Sequence, residues 1–526
     1  MSRKYLFLRG IRIAIAIIVL SVLVRLFVLQ GSLSHEGAFA DLLDAAGNGI
    51  AKIQFVPVLL SLTTGVSIFL VIIGILIVMT LLFGRIYCAT VCPLGICQDI
   101  AFRAGNVVRK KKLGGIRGKH ILWFSICAVS VFSGFAGLTV LLGWIDPYSL
   151  FGKVMLFTIR PISVGIYNHA IIPLMSDSSG FTQELNGGTF FPVYFAIGLT
   201  FGIALAALAF LKGRIWCNFI CPVGAVLSLI SRCALFKMRI GNSCVSCGLC
   251  EGSCRGRCIN IVEKTIEDDR CVRCFDCTAT CPAGAITYGF RRDKENDDVT
   301  SESRKSFIRN GIVSGAAIGA GMIFPGSVVR ALSSDNQNYP MPPGSINQRR
   351  FSKRCTSCGL CSGRCPTGVI RPAVFEKGVT GLMQPVLDFT KGYCVYECSL
   401  CSETCPTGAI KAITKEEKKK LSIGYAVFDE HNCIVYKNGT SCGACAEVCP
   451  THAVTMVKFR KGLMIPVVEE SQCIGCGACV FRCPARPVRA LHVNGREEQI
   501  FISTQRKISK PERSEREIKG KEDFPF

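Results

Sequence analysis

Cys271-Val-Arg-Cys274-Phe-Asp-Cys277-Thr-Ala-Thr-Cys281-Pro282 is a complete C-x2-C-x2-C-x3-C-P run. Three thiolates spaced two apart in a tight loop wrap one iron–sulfur cubane, and a fourth, at the start of a helix, reaches a neighbouring cluster. The run recurs at Cys355, Cys358, Cys361, Cys365-Pro366 and at Cys473, Cys476, Cys479, Cys483-Pro484. Three copies are modified. Cys244, Cys247, Cys250, Cys254 keeps the spacing but carries Arg255 in place of Pro; Cys394, Cys398, Cys401, Cys405-Pro406 has one extra residue in its first gap. Cys433 precedes Cys442, Cys445, Cys449-Pro450 by an eight-residue gap.

Exchange of the fourth cysteine predicts three two-cluster units and six [4Fe-4S] clusters. In the first unit Cys244, Cys247, Cys250 share a cluster with Cys281, and Cys271, Cys274, Cys277 share one with Cys254. In the second, Cys355, Cys358, Cys361 pair with Cys405, and Cys394, Cys398, Cys401 with Cys365. In the third, Cys433, Cys442, Cys445 pair with Cys483, and Cys473, Cys476, Cys479 with Cys449. A disulfide scaffold rarely repeats this spacing with Pro after the last Cys. Structural zinc would need only C-x2-C pairs. Cys258 is left over beside the first unit and reads as a free thiol, or as a substitute ligand.

The chain has 526 residues, 32 Cys, 52 Gly and 49% apolar residues, which excludes a disordered chain. Its formal charge is +24. Each four-thiolate cubane adds roughly −2, so six would cut the surplus by about half. The basic residues sit beside apolar runs or between cysteine clusters, so no nucleic-acid partner is expected.

The apolar runs lie before residue 240, and four pass the length test for a bilayer: about 11–30, 56–83, 120–143 and 190–212. Arg25, inside the first, has to snorkel or face protein. The segment 154–175, broken by Arg160 and Pro161, is expected to be interfacial or re-entrant. The loop between the second and third runs is rich in positive charge, with Arg109, Lys110, Lys111 and Lys112 among its residues. By the positive-inside rule both ends of the four-helix unit lie in the cytoplasm.

An internal repeat ends the second and fourth runs: GRIYCATVCPLG at 84–95 and GRIWCNFICPVG at 213–224. The i, i+4 spacing puts Cys88 and Cys92 on one helical face, and Cys217 and Cys221 likewise. Two such faces present four thiols to one another. The spacing leaves open a metal site, a redox disulfide, a quinone neighbour or small buried hydrophobes. Cys97, Cys127 and Cys233 lack partners at ligand spacing and read as packing residues. His120 and His169 lie near membrane boundaries, as quinone contacts or as ordinary structural residues.

Residues 291–306 are a polar linker. Ser303-Arg304-Lys305-Ser306-Phe307-Ile308-Arg309 and the Gly/Ala-rich run after it resemble a twin-arginine export signal, with Lys305 for the second Arg. A fifth transmembrane helix is the plainer reading, and Val329-Arg330-Ala331 is a weak cleavage site. Both readings put the first unit in the cytoplasm and everything after about 335 outside. The organisation expected is thus multidomain: a polytopic α-helical membrane domain of about four helices (1–240), a cytoplasmic two-cluster ferredoxin (241–290), a linker and signal-like segment (291–334), a periplasmic four-cluster domain (335–502) and a charged tail (503–526). The three cluster units are expected to be α+β bacterial ferredoxins.

On these motifs, residues 1–290 resemble the NapH family, and the chain from about 303 resembles the NapG/MauM ferredoxin family. The whole is similar to a NapH–NapG fusion. The resemblance implies an inner-membrane quinol dehydrogenase subunit that passes electrons from the quinol pool to a periplasmic reductase of the nitrate-reductase type, or to a cytochrome subunit. It makes Cys88, Cys92, Cys217 and Cys221 the membrane motif residues. The residues themselves agree in kind, because a line of clusters moves single electrons. There is no C-x2-C-H haem site, P-loop or catalytic triad. A metal-handling or assembly factor, with the C-x3-C-P pairs carrying metal for another enzyme, is the competing reading; a scaffold subunit of a respiratory complex is the third.

Overall fold

A computed structural model describes residues 3–28, 38–61, 66–109, 139–175, 192–290, 339–374, 376–378 and 381–502. The linker, the signal-like segment, the charged tail, His120, Cys127 and most of the 120–143 run lie outside them.

Helix α1 (Arg3–Val28) is followed by α2 (Ala38–Lys52), α3 (Phe55–Ser61), α4 (Val66–Phe83), α5 (Tyr87–Thr90), α6 (Pro93–Val108) and α7 (Thr139–Ile145). Next come α8 (147–175), α9 (Pro192–Lys212) and α10 (Pro222–Arg232). Three of these are long and apolar enough to cross a membrane: Lys4–Val28, Pro147–Ile171 and Pro192–Lys212. The expected span 56–83 is divided between α3 and the 18-residue α4.

The break expected at Arg160-Pro161 is absent. Helix α8 runs through it, with wide π-type turns at Met155–Ile159 and Tyr167–Ile171. Proline lacks the amide donor and crowds the preceding turn, and a widened turn directly before it relieves both. Arg160 is buried because its guanidinium donates to the Gly363 carbonyl, so its charge is held by protein and not by lipid. Arg25 likewise faces protein, 3.6 Å from Asp44.

The cysteine-rich segments form small units of short helices and two-stranded antiparallel ribbons. In the first unit β1 (Phe236–Ile240) pairs with β4 (Ile286–Phe290), and β2 (Ile259–Asn260) with β3 (Thr265–Ile266). Beyond residue 339, β5 (Ile370–Pro372) pairs with β6 (Pro385–Leu387), β7 (Leu421–Phe428) with β10 (Leu491–Phe501), and β8 (Val454–Lys458) with β9 (Met464–Val468). A single buried core containing Phe351, Phe389, Ile423 and Leu491 joins the second and third units.

Helix α1 touches both ends of the molecule. Near its start, Arg9 pairs with Asp276 at 3.0 Å and Tyr5 stacks on Phe275 of the first unit. At its end, Phe27 packs with Tyr148, Phe151 and Leu360, beside Cys358 of the second unit. A helix of 26 residues is about 39 Å long, enough to separate the two units by a bilayer's hydrocarbon core.

Candidate functional site

Each expected cysteine quartet gathers in space. Cys244, Cys247, Cys250 and Cys281 line one cavity with Pro282 and Ile286. Cys254, Cys271, Cys274 and Cys277 line a second, with Met238 and Phe275. Cys365, Cys394, Cys398 and Cys401 line a third. Cys355, Cys358 and Cys405 lie within electrostatic reach of Cys361, and Cys473, Cys476 and Cys449 within reach of Cys479. Cys433, Cys442 and Cys483 share one apolar cluster, and Cys442 and Cys483 interact with Cys445. The eight-residue gap after Cys433 is filled by a helical turn, Ile434–Asn438, closed by Gly439 at φ 64°.

Every cysteine among the described residues is a free thiol. Among those residues, no three His, Cys, Asp or Glu side chains converge tightly enough for one metal ion. The quartets instead enclose apolar space, the donor set that a multinuclear iron–sulfur group takes. Burial pushes the Cys355 and Cys274 thiols up to about 12, so thiolates at these places need metal charge beside them. Cys258 belongs to the second cavity: it is buried, and its Sγ stands 3.5 Å from that of Cys254.

The repeat around the C-x3-C-P motifs is built the same way twice. Gly84 and Gly213 take φ of 79° and 78°, a left-handed turn open to glycine. Cys92 and Cys221 are extended residues at the N-caps of α6 and α10, with Pro93 and Pro222 in the first helical position. Gly95 and Gly224 lie where a Cβ would come within 2.3 Å of the Cys88 carbonyl and 2.1 Å of the Cys217 carbonyl. Cys88, Cys92, Cys217 and Cys221 are all buried, and each of the four interacts electrostatically with the other three.

Ion pairs that the cysteine spacing does not reveal seat the first unit on the helices. Asp99 of α6 receives Arg214 at 2.6 Å, Arg12 at 3.3 Å and Arg255. Arg255 also reaches Asp276, which Arg103 approaches at 3.5 Å. The residue standing where Pro was expected is thus a clamp between the first unit and α6. Burial alone would raise the Asp99 carboxyl; Arg214, Arg255 and Arg12 outweigh it and hold the group below its ordinary value. The only signal for this in sequence was the departure from Pro at Arg255.

The second unit sits on the opposite ends of the helices through close backbone approach. A Cβ on Gly143 would meet the Thr356 carbonyl at 2.1 Å, and one on Gly152 the Cys358 carbonyl at 2.5 Å. Tyr194 donates to the Pro372 carbonyl at 2.6 Å, Ser61 to that of Pro406 at 3.1 Å, and Arg364 pairs with Asp44 at 3.2 Å.

Several of the quartets neighbour one another. Cys274 packs in the same apolar cluster as Cys88, Cys92 and Cys221. Asp146 interacts electrostatically with Cys221 and with Cys358. Farther on, the Cys394 amide donates to the Cys476 carbonyl at 2.8 Å, and Cys479 interacts with Cys445. His169 is exposed and joins no quartet.

Comparison with known proteins agrees on the cluster chemistry. A family model described as a 4Fe-4S binding domain matches residues 64–115 and 194–243, a 4Fe-4S dicluster domain matches 439–486, and another 4Fe-4S binding domain matches 351–371. An uncharacterized protein of Methanocaldococcus jannaschii is 26% identical over 225 residues, 42% of this chain and 79% of that protein. The methylamine utilization ferredoxin-type protein MauM of Methylorubrum extorquens is 31% identical over 189 residues, 35% of this chain and 85% of MauM. The putative electron transport protein YccM of Escherichia coli is 25% identical over 224 residues, 42% of this chain, and the chain spans only about half of it, 55%. No solved structure matches. The cysteine-rich segments are therefore 4Fe-4S ferredoxin domains of an iron–sulfur electron-transfer protein.

Proposed function

We propose that this chain, which belongs to the family of MauM ferredoxin-type proteins, is a membrane electron conduit that takes electrons from quinol and delivers them to a reductase or cytochrome outside the membrane. The observation that carries the reading is the placement of cysteine quartets against both ends of the same apolar helices, with α1 touching each end. On this reading the 24 clustered cysteines hold six [4Fe-4S] groups, which supply one-electron steps when bound. The chain's own part is to hold them dry, in sequence and at fixed spacing. On this reading the first unit lies on the cytoplasmic side and the residues from 339 to 502 on the periplasmic side, an orientation that the distribution of Arg and Lys between loops supports.

A small cavity with room for about one water lies between α8 and α9. It is lined by Trp144, Leu150, Lys153, Phe157, Phe201 and Met383. The Lys153 amine donates to the Gly143 carbonyl at 2.7 Å and lies 4.5 Å over the Trp144 ring. It also interacts electrostatically with Cys355 and Cys358 of the second unit.

Menaquinol-driven reduction tests the reading. With chain purified anaerobically in detergent, quinol is expected to reduce the clusters of the second and third units, as dithionite does. Full iron with no response to any quinol overturns the conduit. A partner enzyme lacking its metal, with electron transfer intact after Cys88→Ser and Cys217→Ser, would favour the assembly-factor reading.

A further inference from the structure

Four residues beyond the last cysteine of a motif stands a small apolar side chain in four of the copies: Ala285, Val369, Ala409 and Ala453, all buried. In the copy that ends at Cys254 the same place holds Cys258, equally buried. We propose that Cys258 is a fifth thiol of the site formed by Cys254, Cys271, Cys274 and Cys277, which stays protonated, donates its S–H to the sulfurs of Cys254 and Cys271, and so raises the reduction potential of that one centre. This rests on the reading that the quartet holds a [4Fe-4S] group.

The backbone delivers Cys258 to that place by the same turn as in the other copies. Cys254 is extended at φ −76°, ψ 110°, as Cys281 is at φ −74°, ψ 113° and Cys365 at φ −73°, ψ 116°. The residue three further on is left-handed each time: φ is 60° at Gly284, 65° at Gly368, 62° at Gly408, 54° at His452 and 49° at Arg257. The Arg257 amide donates to the Cys254 carbonyl at 3.2 Å, and the Glu267 amide to the Cys258 carbonyl at 2.8 Å. Arg255 in place of Pro therefore leaves the turn intact, and the residue that packs beneath a quartet elsewhere is here a thiol.

The side chain does more than fill the space of an alanine. Its Sγ stands 3.5 Å from the Cys254 Sγ, it is hydrogen-bonded to Cys271 as well, and it lines the same cavity as the four ligands. A cubane takes four thiolates. A fifth negative sulfur in a dry cavity would be desolvated and repelled by the other four, which keeps the proton on Cys258. A thiol S–H is a weak donor, and a ligand sulfur accepts it. That bond strengthens when the site gains an electron, so it favours the reduced state.

Burial shows why this quartet needs such a donor. Cys254, Cys271 and Cys277 are buried, whereas in the other quartet of the unit Cys247 is exposed and Cys244 half-buried. Water can stabilise an added negative charge at the exposed quartet. At the dry one, which adjoins the C-x3-C-P thiols through Cys274, the protein has to supply the dipole itself.

Potentiometric titration of the full chain, purified anaerobically and followed by paramagnetic resonance, tests this. Cys274→Ser identifies the signal of the quartet by its loss. Cys258→Ala introduces the residue that three other copies carry, so it is expected to fold with its iron complete. It should lower the midpoint of the identified signal by an amount equivalent to about tenfold in the ratio of oxidised to reduced centre, about 59 mV for one electron. Cys258→Ser, which keeps a donor, should recover most of that shift, and the other signals should stay where they are. An unmoved midpoint in Cys258→Ala with full iron makes Cys258 a packing residue and overturns the donor, as does a shift in Cys258→Ser as large as in Cys258→Ala. Loss of the signal and of about four iron in Cys258→Ala, with both retained in Cys254→Ser, makes Cys258 a ligand and overturns it too. Signals and iron untouched by Cys274→Ser sink the quartet itself, and the donor with it.

Discussion

Arg85 and Arg214 occupy the same place in the two copies of the repeat, and each reaches into the other copy. Arg85 donates to the Cys217 carbonyl at 3.3 Å, and Arg214 to the Cys88 carbonyl at 3.0 Å. The exchange locks the two turns together and keeps four thiols in one buried place. The copies differ in what else the cation meets. Arg214 has Asp99, whereas Arg85 has the first unit's Asp269 carbonyl.

Asp99→Asn leaves Arg12, Arg214 and Arg255 without their shared carboxylate. Removing one partner from a buried ion-pair network costs roughly 3–5 kcal/mol. A lower Tm and faster proteolysis of the first unit in detergent would show it. The carboxyl is held below its ordinary value of about 3.9 when folded. Its contribution is therefore complete above that value and is lost as pH falls through the lower, folded pKa. Acid titration of the wild type should show this loss and the variant should not.

Arg255→Pro restores the usual residue after the fourth Cys and removes the bridge between Asp99 and Asp276. The loss expected is again several kcal/mol, roughly 3–5. Iron in the first unit should stay while the unit becomes open to protease, read by limited digestion.

Gly152→Val places a side chain against the Cys358 carbonyl, where the Cβ alone would stand 2.5 Å away. The second unit is expected to leave the helices, detected as lost cross-linking between engineered cysteines at 194 and 372. Gly165→Val is the control, since nothing lies within 4 Å of its Cβ.

Cys281→Ser is expected to damage the cluster held by Cys244, Cys247 and Cys250, and to spare the one held by its own motif, because Cys281 lines the cavity of the former. Paramagnetic resonance on the two reduced centres separates the outcomes. Loss of the Cys271, Cys274, Cys277 centre instead would refute the exchange.

The cysteine pattern made the 4Fe-4S domains legible because a cubane dictates its own spacing, and Cys281 lines one cavity with Cys244, Cys247 and Cys250. The seating of the units was not legible. Asp99 and Arg214 lie 115 residues apart and Gly152 faces Cys358 across some 200, and no periodicity encodes such contacts. Helix α8 misled because Arg160 and Pro161 look like breakers when the widened turn and the Gly363 carbonyl are out of view.

Five arginines are fully buried in or beside the first unit: Arg85, Arg214, Arg255, Arg270 and Arg273. Arg9, Arg12 and Arg103 share the same carboxylates, so Glu267, Asp268, Asp99 and Asp276 answer four of eight charges, and two cubanes at roughly −2 each would answer the other four. A chain starved of iron thus carries its own defect signal. Its core is over-charged rather than under-packed, so such chains should open locally and be degraded before they can occupy the membrane as inert copies.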